Sequence, residues 1–484
     1  MIVRVFHAIA LAAPLALAAC AVGPDFQQPP APEAARYTHE STADPAGQHF
    51  NRSIDIPAQW WDAFHSRPLS ALVERALAQN PNLQALEAAL QVAYANTDAQ
   101  RGAFFPQITA GAGASANRAA TAGLSAPTSN SSPYYRLFTA QAQVSYTPDL
   151  WGGTRRAVES LEAQAEAQKY QLMAARIALA GNIVNAAVLE AQLRAQIADT
   201  QAIIRLSQNL LALSQNRLAL KDIARVDVLT QQTALLQAMQ TLPPLEKQLA
   251  QQRDLLTALA GQYSQQEVSE KFDLSHLTLP RVVPLSLPAH LVRQRPDVLA
   301  AEANMHAASA AIGVAVANRL PNISLTGMIG TSTTSFAHLF NPGSIAWTLG
   351  ANVAQTVFDG GTLLSKQRAA EAFYQQSEAQ YRATVIAAFQ NVADCLRALQ
   401  TDARAYSAAA AAESSARQAF GIVQKQVKLG AASNLAIINA QQAVLQASLA
   451  RIQAQAARLA DTSALIVALG GGWWNEDAQL RPVR

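Results

Sequence analysis

The feature that most constrains this chain is that it is written twice. Asn80-Pro81-Asn82-Leu83 returns as Arg295-Pro296-Asp297-Val298, and Phe105-Pro106-Gln107-Ile108 returns as Leu320-Pro321-Asn322-Ile323, with both pairs of prolines offset by 215 residues. Leu150-Trp151-Gly152-Gly153 is answered by Phe358-Asp359-Gly360-Gly361, and Leu220 to Gln232 by Leu429 to Gln441, at an offset a few residues shorter. A period this long is not that of a short-repeat solenoid. It sets out a leading segment (20–79), a first repeat (80–261), a linker (262–290), a second repeat (291–470) and a tail (471–484). Each repeat carries the same series: a helix, two strands, then a long helical hairpin.

The strands carry most of the information. From Ile108 to Asn117, Ile108, Ala110, Ala112, Ala114 and Ala116 alternate with Thr109, Gly111, Gly113, Ser115 and Asn117. From Phe138 to Thr147, Phe138, Ala140, Ala142, Val144 and Tyr146 alternate with Thr139, Gln141, Gln143, Ser145 and Thr147. The second repeat alternates over Ile323–Gly330 and again over Ile345–Ala354, where Trp347, Leu349 and Val353 fall on one face. Each run is about ten residues, the length of a tilted strand that crosses a bilayer with one face to lipid and the other to water. Ala119 to Tyr135 and Thr331 to Ser344, rich in Ser, Thr, Pro, Gly and Asn, read as surface loops. Phe104, Phe105, Tyr134, Tyr135, Trp151, Phe336, Phe340 and Phe358 sit near strand ends, where an interfacial girdle would lie. Four strands cannot close a barrel, and an open sheet edge is not tolerated in hydrocarbon. The chain must therefore oligomerise. Eight strands from a dimer or twelve from a trimer both close, twelve with the wider lumen.

The stretches from about Thr154 to Gly261 and Thr362 to Leu469 are dense in Ala, Gln, Leu and Arg, good helix formers, with Pro243 and Pro244 the only prolines. Breaks are expected at Leu220-Lys221-Asp222-Ile223 and at Leu429-Gly430-Ala431-Ala432-Ser433, the second with a Gly stop followed by a Ser cap. Alanine and glutamine on many helix faces, with no thick leucine stripe, suit a helical wall wetted on one side better than a solid bundle. No segment after the N-terminus offers 18 uncharged apolar residues, so any membrane crossing of the mature chain falls to strands.

Residues 1–19 read as a signal peptide: Arg4, an apolar stretch too short to span a bilayer, then Leu17-Ala18-Ala19-Cys20 in the form of a lipoprotein cleavage site. Cleavage there frees the Cys20 thiol and amino group to carry lipid. By resemblance to bacterial lipoproteins, Ala21 in place of Asp directs the chain to the outer membrane. Only Cys395 remains besides, which excludes an intramolecular disulfide and a cysteine metal cluster. The net charge of +3 has no basic run behind it, which argues against nucleic acid as a partner. There is no phosphate-binding loop, no His-Glu-x-x-His and no nucleophile elbow. The eight histidines are scattered, so no catalytic residue, cofactor or metal is assigned.

Cys20-Ala21-Val22-Gly23-Pro24-Asp25-Phe26, Trp60-Trp61-Asp62-Ala63-Phe64, Asn80-Pro81, Pro148-Asp149-Leu150-Trp151-Gly152, Arg295-Pro296-Asp297 and Ala468-Leu469-Gly470-Gly471-Gly472-Trp473 resemble, in order and spacing, the NodT-type lipoprotein branch of the TolC-like outer-membrane efflux proteins. The resemblance covers Cys20 to about Trp474. It departs at Asn82, where an acidic residue is common, at Gly153, where Arg is common, and at Lys221-Asp222, where the second repeat has Gly430. The family implies a mainly α protein with a membrane β-barrel, in which a homotrimer forms a 12-stranded barrel continuous with a long periplasmic α-helical barrel. It also implies lipid of the outer membrane around the barrel, and docking to a periplasmic adaptor (membrane fusion) protein and an inner-membrane pump of the RND type. The implied activity is that of an exit duct for small molecules such as drugs, with no enzymatic step. In this family acidic side chains ring a constriction at the periplasmic helix tips. Phe389-Gln390-Asn391-Val392-Ala393-Asp394-Cys395-Leu396 resembles the region that supplies them, which points to Asp394, then Asp402, with Arg397 on the same helix face as Asp394. The competing readings are the outer channel of a type I protein-secretion system and a poreless lipid-anchored scaffold.

Overall fold

The computed structural model describes residues 21–34, 36–40, 43–118 and 133–475. The signal peptide, Cys20, most of the first surface loop and the end of the tail lie outside them. In chain order the elements are β1 (His49–Asn51), α1 (Arg67–Gln79), α2 (Pro81–Arg101), β2 (Gln107–Arg118), β3 (Tyr134–Tyr146), α3 (Gly153–Ala219), α4 (Arg225–Gln240) and α5 (Leu242–Leu259). Then follow β4 (Val282–Pro284), α6 (Pro288–Gln294), α7 (Pro296–Ala317), β5 (Asn322–Thr333), β6 (Ile345–Ala354), α8 (Thr362–Lys428) and α9 (Asn434–Ala468). The chain folds into two compact units, one of residues 1–28, 90–167 and 301–380, the other of 29–89, 168–300 and 381–484.

The first unit is built on one antiparallel sheet of order β2-β3-β5-β6. The two strands of each repeat form a hairpin, and β3 pairs with β5 to join the repeats. An aspartate starts each of the long helices that follow. Asp149 accepts from the Thr154 and Arg155 amides at 3.0 and 2.9 Å, and Asp359 from the Gly361 and Leu363 amides at 2.8 and 2.7 Å. These carboxylates satisfy amides that a helix start leaves unpaired. The Trp151 indole Nε1 donates to Pro321 O at 2.7 Å, tying the corner of one repeat to the corner of the other. Residues 22–26 are clamped onto the same corner. Val22 N donates to Trp151 O, Arg156 Nε to Val22 O and Arg156 Nη2 to Asp25, while Phe26 stacks on His306 with ring centroids 4.4 Å apart. His306 in turn meets Glu159 at 2.9 Å.

In the second unit, Trp60, Phe64, Leu69, Leu72, Phe272 and Leu291 are fully buried, and β1 pairs with β4 in parallel. The X-Pro motif recognised twice in the sequence has the same job twice. Asn80 Nδ2 donates to Leu259 O at 3.0 Å, where the first hairpin ends, and Arg295 Nη1 donates to Ala468 O at 3.0 Å, where the second ends. The hairpins differ at one point. The Pro243-Pro244 pair divides the returning limb of the first into α4 and α5 at Thr241, whereas α9 runs unbroken for 35 residues. Two helices, α3 and α7, do contain an 18-residue window apolar enough to cross a membrane, but those windows are 61% and 50% buried within the described structure. Their hydropathy is accounted for by packing.

Candidate functional site

The candidate site is a surface, and in the first unit it is the sheet. Register keeps the two faces separate across all four strands. Ile108 lies opposite Val144, Ala142 opposite Ile329, and Ile329 opposite Trp347. On the other face Thr109 lies opposite Gln143, Gln143 opposite Met328, and Met328 opposite Thr348. One face is therefore apolar along its length and the other largely polar, as the alternation predicted. Among the described residues the apolar face is uncovered, with Trp347 73% and Ile329 58% exposed. Four strands leave that face without a core partner, and among the described residues β2 and β6 each have one unpaired edge. A surface so apolar and so open calls for a covering by lipid or protein.

In the second unit, α8 buries a single narrow stripe. Tyr381, Val385, Ala388, Val392, Leu396, Leu399 and Ala403 recur every three or four residues and are all buried, the seam of a helix that packs on one side only. Asp394 and Arg397 lie exposed off that stripe, and Asp402 is half-buried beside it. Asp394 and Arg397 form no ion pair with each other among the described residues. Asp394 is 34 residues before α8 ends at Lys428, or ~50 Å along the axis. These three residues thus lie along α8, well away from its turn to α9.

The hairpin turns present a different chemistry. Leu220 is 80% and Leu429 83% exposed, with Val226, Leu229 and Leu435 exposed nearby. Lys221 takes up the left-handed conformation at φ 59° that Gly430 supplies at φ 75° in the second turn. Arg217 pairs with Asp222 across the first turn, and the Ser433 hydroxyl accepts from the Ala436 amide at 3.3 Å to start α9. The two leucines occupy equivalent places in the repeats, so the duplication itself marked them.

Two further groups lie near these residues: Cys395, which the sequence already reads as a packed residue, and Asp461, which it does not single out. Cys395 is half-buried, and its thiol is pushed up to about 11, chiefly by burial and then by Asp461 and Asp394. It is a packed thiol, not a nucleophile. Asp461 of α9 stands against Asp402 of α8, and burial followed by that neighbour raises its carboxyl to about 7. Nothing in the sequence pairs two aspartates on different limbs of a hairpin. No group of three or more His, Cys, Asp and Glu among the described residues has an arrangement that could hold a metal ion.

Comparison with known proteins supplies the remaining observations. The chain matches the outer membrane efflux protein family over residues 72–262 and 287–471. It is 28% identical over 437 residues to the pyoverdine export outer membrane protein OpmQ of Pseudomonas putida, covering 89% of this chain and 92% of that one. It is 26% identical over 463 residues to nodulation protein T of Rhizobium leguminosarum bv. trifolii, covering 95% and 96%. The solved structure of the outer-membrane channel OprN superimposes with a TM-score of 0.85 at 25% identity, over 94% of this chain and 100% of that one.

Proposed function

The chain belongs to the outer membrane efflux protein family, and from that premise we propose that it is the outer-membrane exit duct of a tripartite efflux pump, conducting small molecules passively from the periplasm to the exterior. The observation that carries the reading is the sheet: four strands in register, one face apolar and uncovered, the two outer strands each with an unpaired edge. Three copies joined edge to edge supply twelve strands, close the barrel, set the apolar faces toward lipid and leave a polar lumen. The two helical hairpins of each copy then contribute twelve helices to one periplasmic tunnel, in whose wall the single buried stripe of α8 faces its neighbours and leaves its other side free. Lipid on Cys20 adds an anchor beside the barrel.

The hairpin turns, with exposed Leu220 and Leu429 at equivalent positions, suit docking of a periplasmic adaptor protein that links the duct to an RND-type pump in the inner membrane. Asp394 and Arg397, exposed on α8, belong in this reading to the charged lining of the wall and tune the ions that pass.

A duct needs a lumen, a constriction and no catalytic group. Single-channel recording of the purified protein in planar bilayers tests both parts. Wild type is expected to conduct, and Asp394→Ala is expected to lower the preference for cations in identical salt. A pore indifferent to the substitution would remove Asp394 from the lining while keeping the duct. A membrane-inserted oligomer that never conducts under any gating condition would sink the duct itself.

A further inference from the structure

The strands of the first unit and the loops between them are almost without charge, and the exceptions sit together. Between Asp98 and Asp149, and again between Glu302 and Asp359, the chain has no acidic residue. Over 105–147 and 322–357, which hold the four strands and both loops, the only arginines are Arg118 and Arg136, and there is no lysine.

Register puts both arginines on the apolar face. Ala116 lies opposite Arg136 and Arg118 opposite Tyr134, continuing the series that runs from Ile108 opposite Val144 to Ala114 opposite Phe138. Arg118, Tyr134 and Arg136 therefore terminate that face at the loop end of the hairpin, away from the corner where α3 starts. All three are exposed and share one surface depression. The Arg118 guanidinium carbon lies 5.5 Å from the centre of the Tyr134 ring. Arg118 is diagonal to Arg136 across the ladder, a spacing of ~7–8 Å that long side chains bridge. No carboxylate of the hairpins is available to either arginine, and a second copy of the same sheet laid against β2 or β6 brings none. Cations on a face that meets hydrocarbon are tolerated where their heads reach the interface. There, two guanidinium groups this close repel each other unless an anion lies between them.

We propose that Arg118 and Arg136 hold the phosphate of an anionic lipid in the outer leaflet of the membrane. The order of residues along the hairpin matches such a lipid. Ala114 and Phe138 lie at the depth of its acyl chains, Arg136 comes next, and Arg118 and Tyr134 lie at the depth of its headgroup. A guanidinium donates in parallel to two phosphate oxygens, and two guanidinium groups neutralise the charge of a phosphate monoester. The site rests on the reading of the sheet as part of a membrane barrel with its loops outward.

The test is native mass spectrometry of the purified full-length oligomer released from nanodiscs of phosphatidylcholine mixed with diphosphoryl lipid A, a phosphorylated glycolipid. Wild type is expected to retain lipid A in preference to phosphatidylcholine. The double variant Arg118→Gln, Arg136→Gln is expected to lose about tenfold of that preference, the effect of two basic side chains at a lipid surface. If the double variant does not assemble, each single variant is expected to show part of the loss. A wild type without the preference overturns the site, as does a preference unchanged in an assembled variant. Equal retention of lipid A stripped of its phosphates also overturns it, because the acyl chains alone would then be recognised. Displacement of the lipid by an equal concentration of inorganic phosphate overturns it too, in favour of a site for the free anion. Conductance in planar bilayers separates the two readings. A conducting oligomer without the preference removes the lipid site alone, whereas a chain that never enters the bilayer removes the barrel and the site with it.

Discussion

At the scale of single residues, Gly313 on α7 is a position where only the absence of a side chain fits. A Cβ there would lie 2.7 Å from both Val22 O and Arg156 Cγ, closer than real Cβ atoms approach other atoms. The absence of a side chain lets the backbone of residues 22–26 lie against the helix, where Arg156 and His306 hold Asp25 and Phe26. This clamp immediately follows the residue expected to carry lipid, so it fixes where the anchor leaves the fold. Gly313→Val is expected to lift the clamp at a cost of ~1–3 kcal/mol, as overpacking does, and to expose residues 22–30 to limited proteolysis while the sheet persists. Cys395 makes a second prediction. A thiol raised from 9.0 to about 11 has about a hundredfold less thiolate at pH 8, so alkylation in the folded protein should be slower than that of an unperturbed thiol by that factor. Denaturant should restore the ordinary rate. A fast reaction in the native state would show that the thiol is not packed as described.

At the scale of elements, the two hairpins are one design with two local solutions. The second turn uses Gly430 to end α8 and the Ser433 hydroxyl to start α9, whereas the first uses Lys221 in the left-handed region and the Asp227 carboxylate, which accepts from the Ala224 amide at 3.2 Å. Ser433→Ala removes a cap worth ~1 kcal/mol. Amide exchange at 435–437 should accelerate while the rest of α9 is unaffected; unchanged protection there would mean the cap contributes nothing. Both breaks were legible in the sequence because stop and cap residues act locally. The strands were legible too, since alternation is a period-2 property of ten adjacent residues and the register kept every face assignment. The position of Asp394 along α8 was not. Local resemblance gives the helix face but not the distance to the turn, which depends on where a 67-residue helix ends. The Asp402–Asp461 contact was equally hidden, because pairing across a hairpin depends on which stripes of two helices meet.

At the scale of the whole molecule, the open four-stranded sheet carries the sharpest test. An apolar face formed by Ile108, Val144, Ile329 and Trp347 has no partner among the described residues, and the opposite face runs through Gln143, Met328 and Thr348. If lipid covers the first face and water the second, adjacent positions on one strand must respond oppositely to charge. Ile329→Arg buries a guanidinium in hydrocarbon at ~2–4 kcal/mol near the midplane and less toward an interface. Met328→Arg points the same group into the lumen, where water solvates it. The first variant is expected to assemble poorly in the outer membrane, measured as the fraction of heat-modifiable oligomer. The second should assemble as wild type and shift the ion preference of the pore toward anions. Equal tolerance of both would mean that neither face meets the hydrocarbon of the membrane. Equal intolerance would mean that both faces are dry, as in a soluble sandwich, and a sheet dry on both faces cannot line a duct.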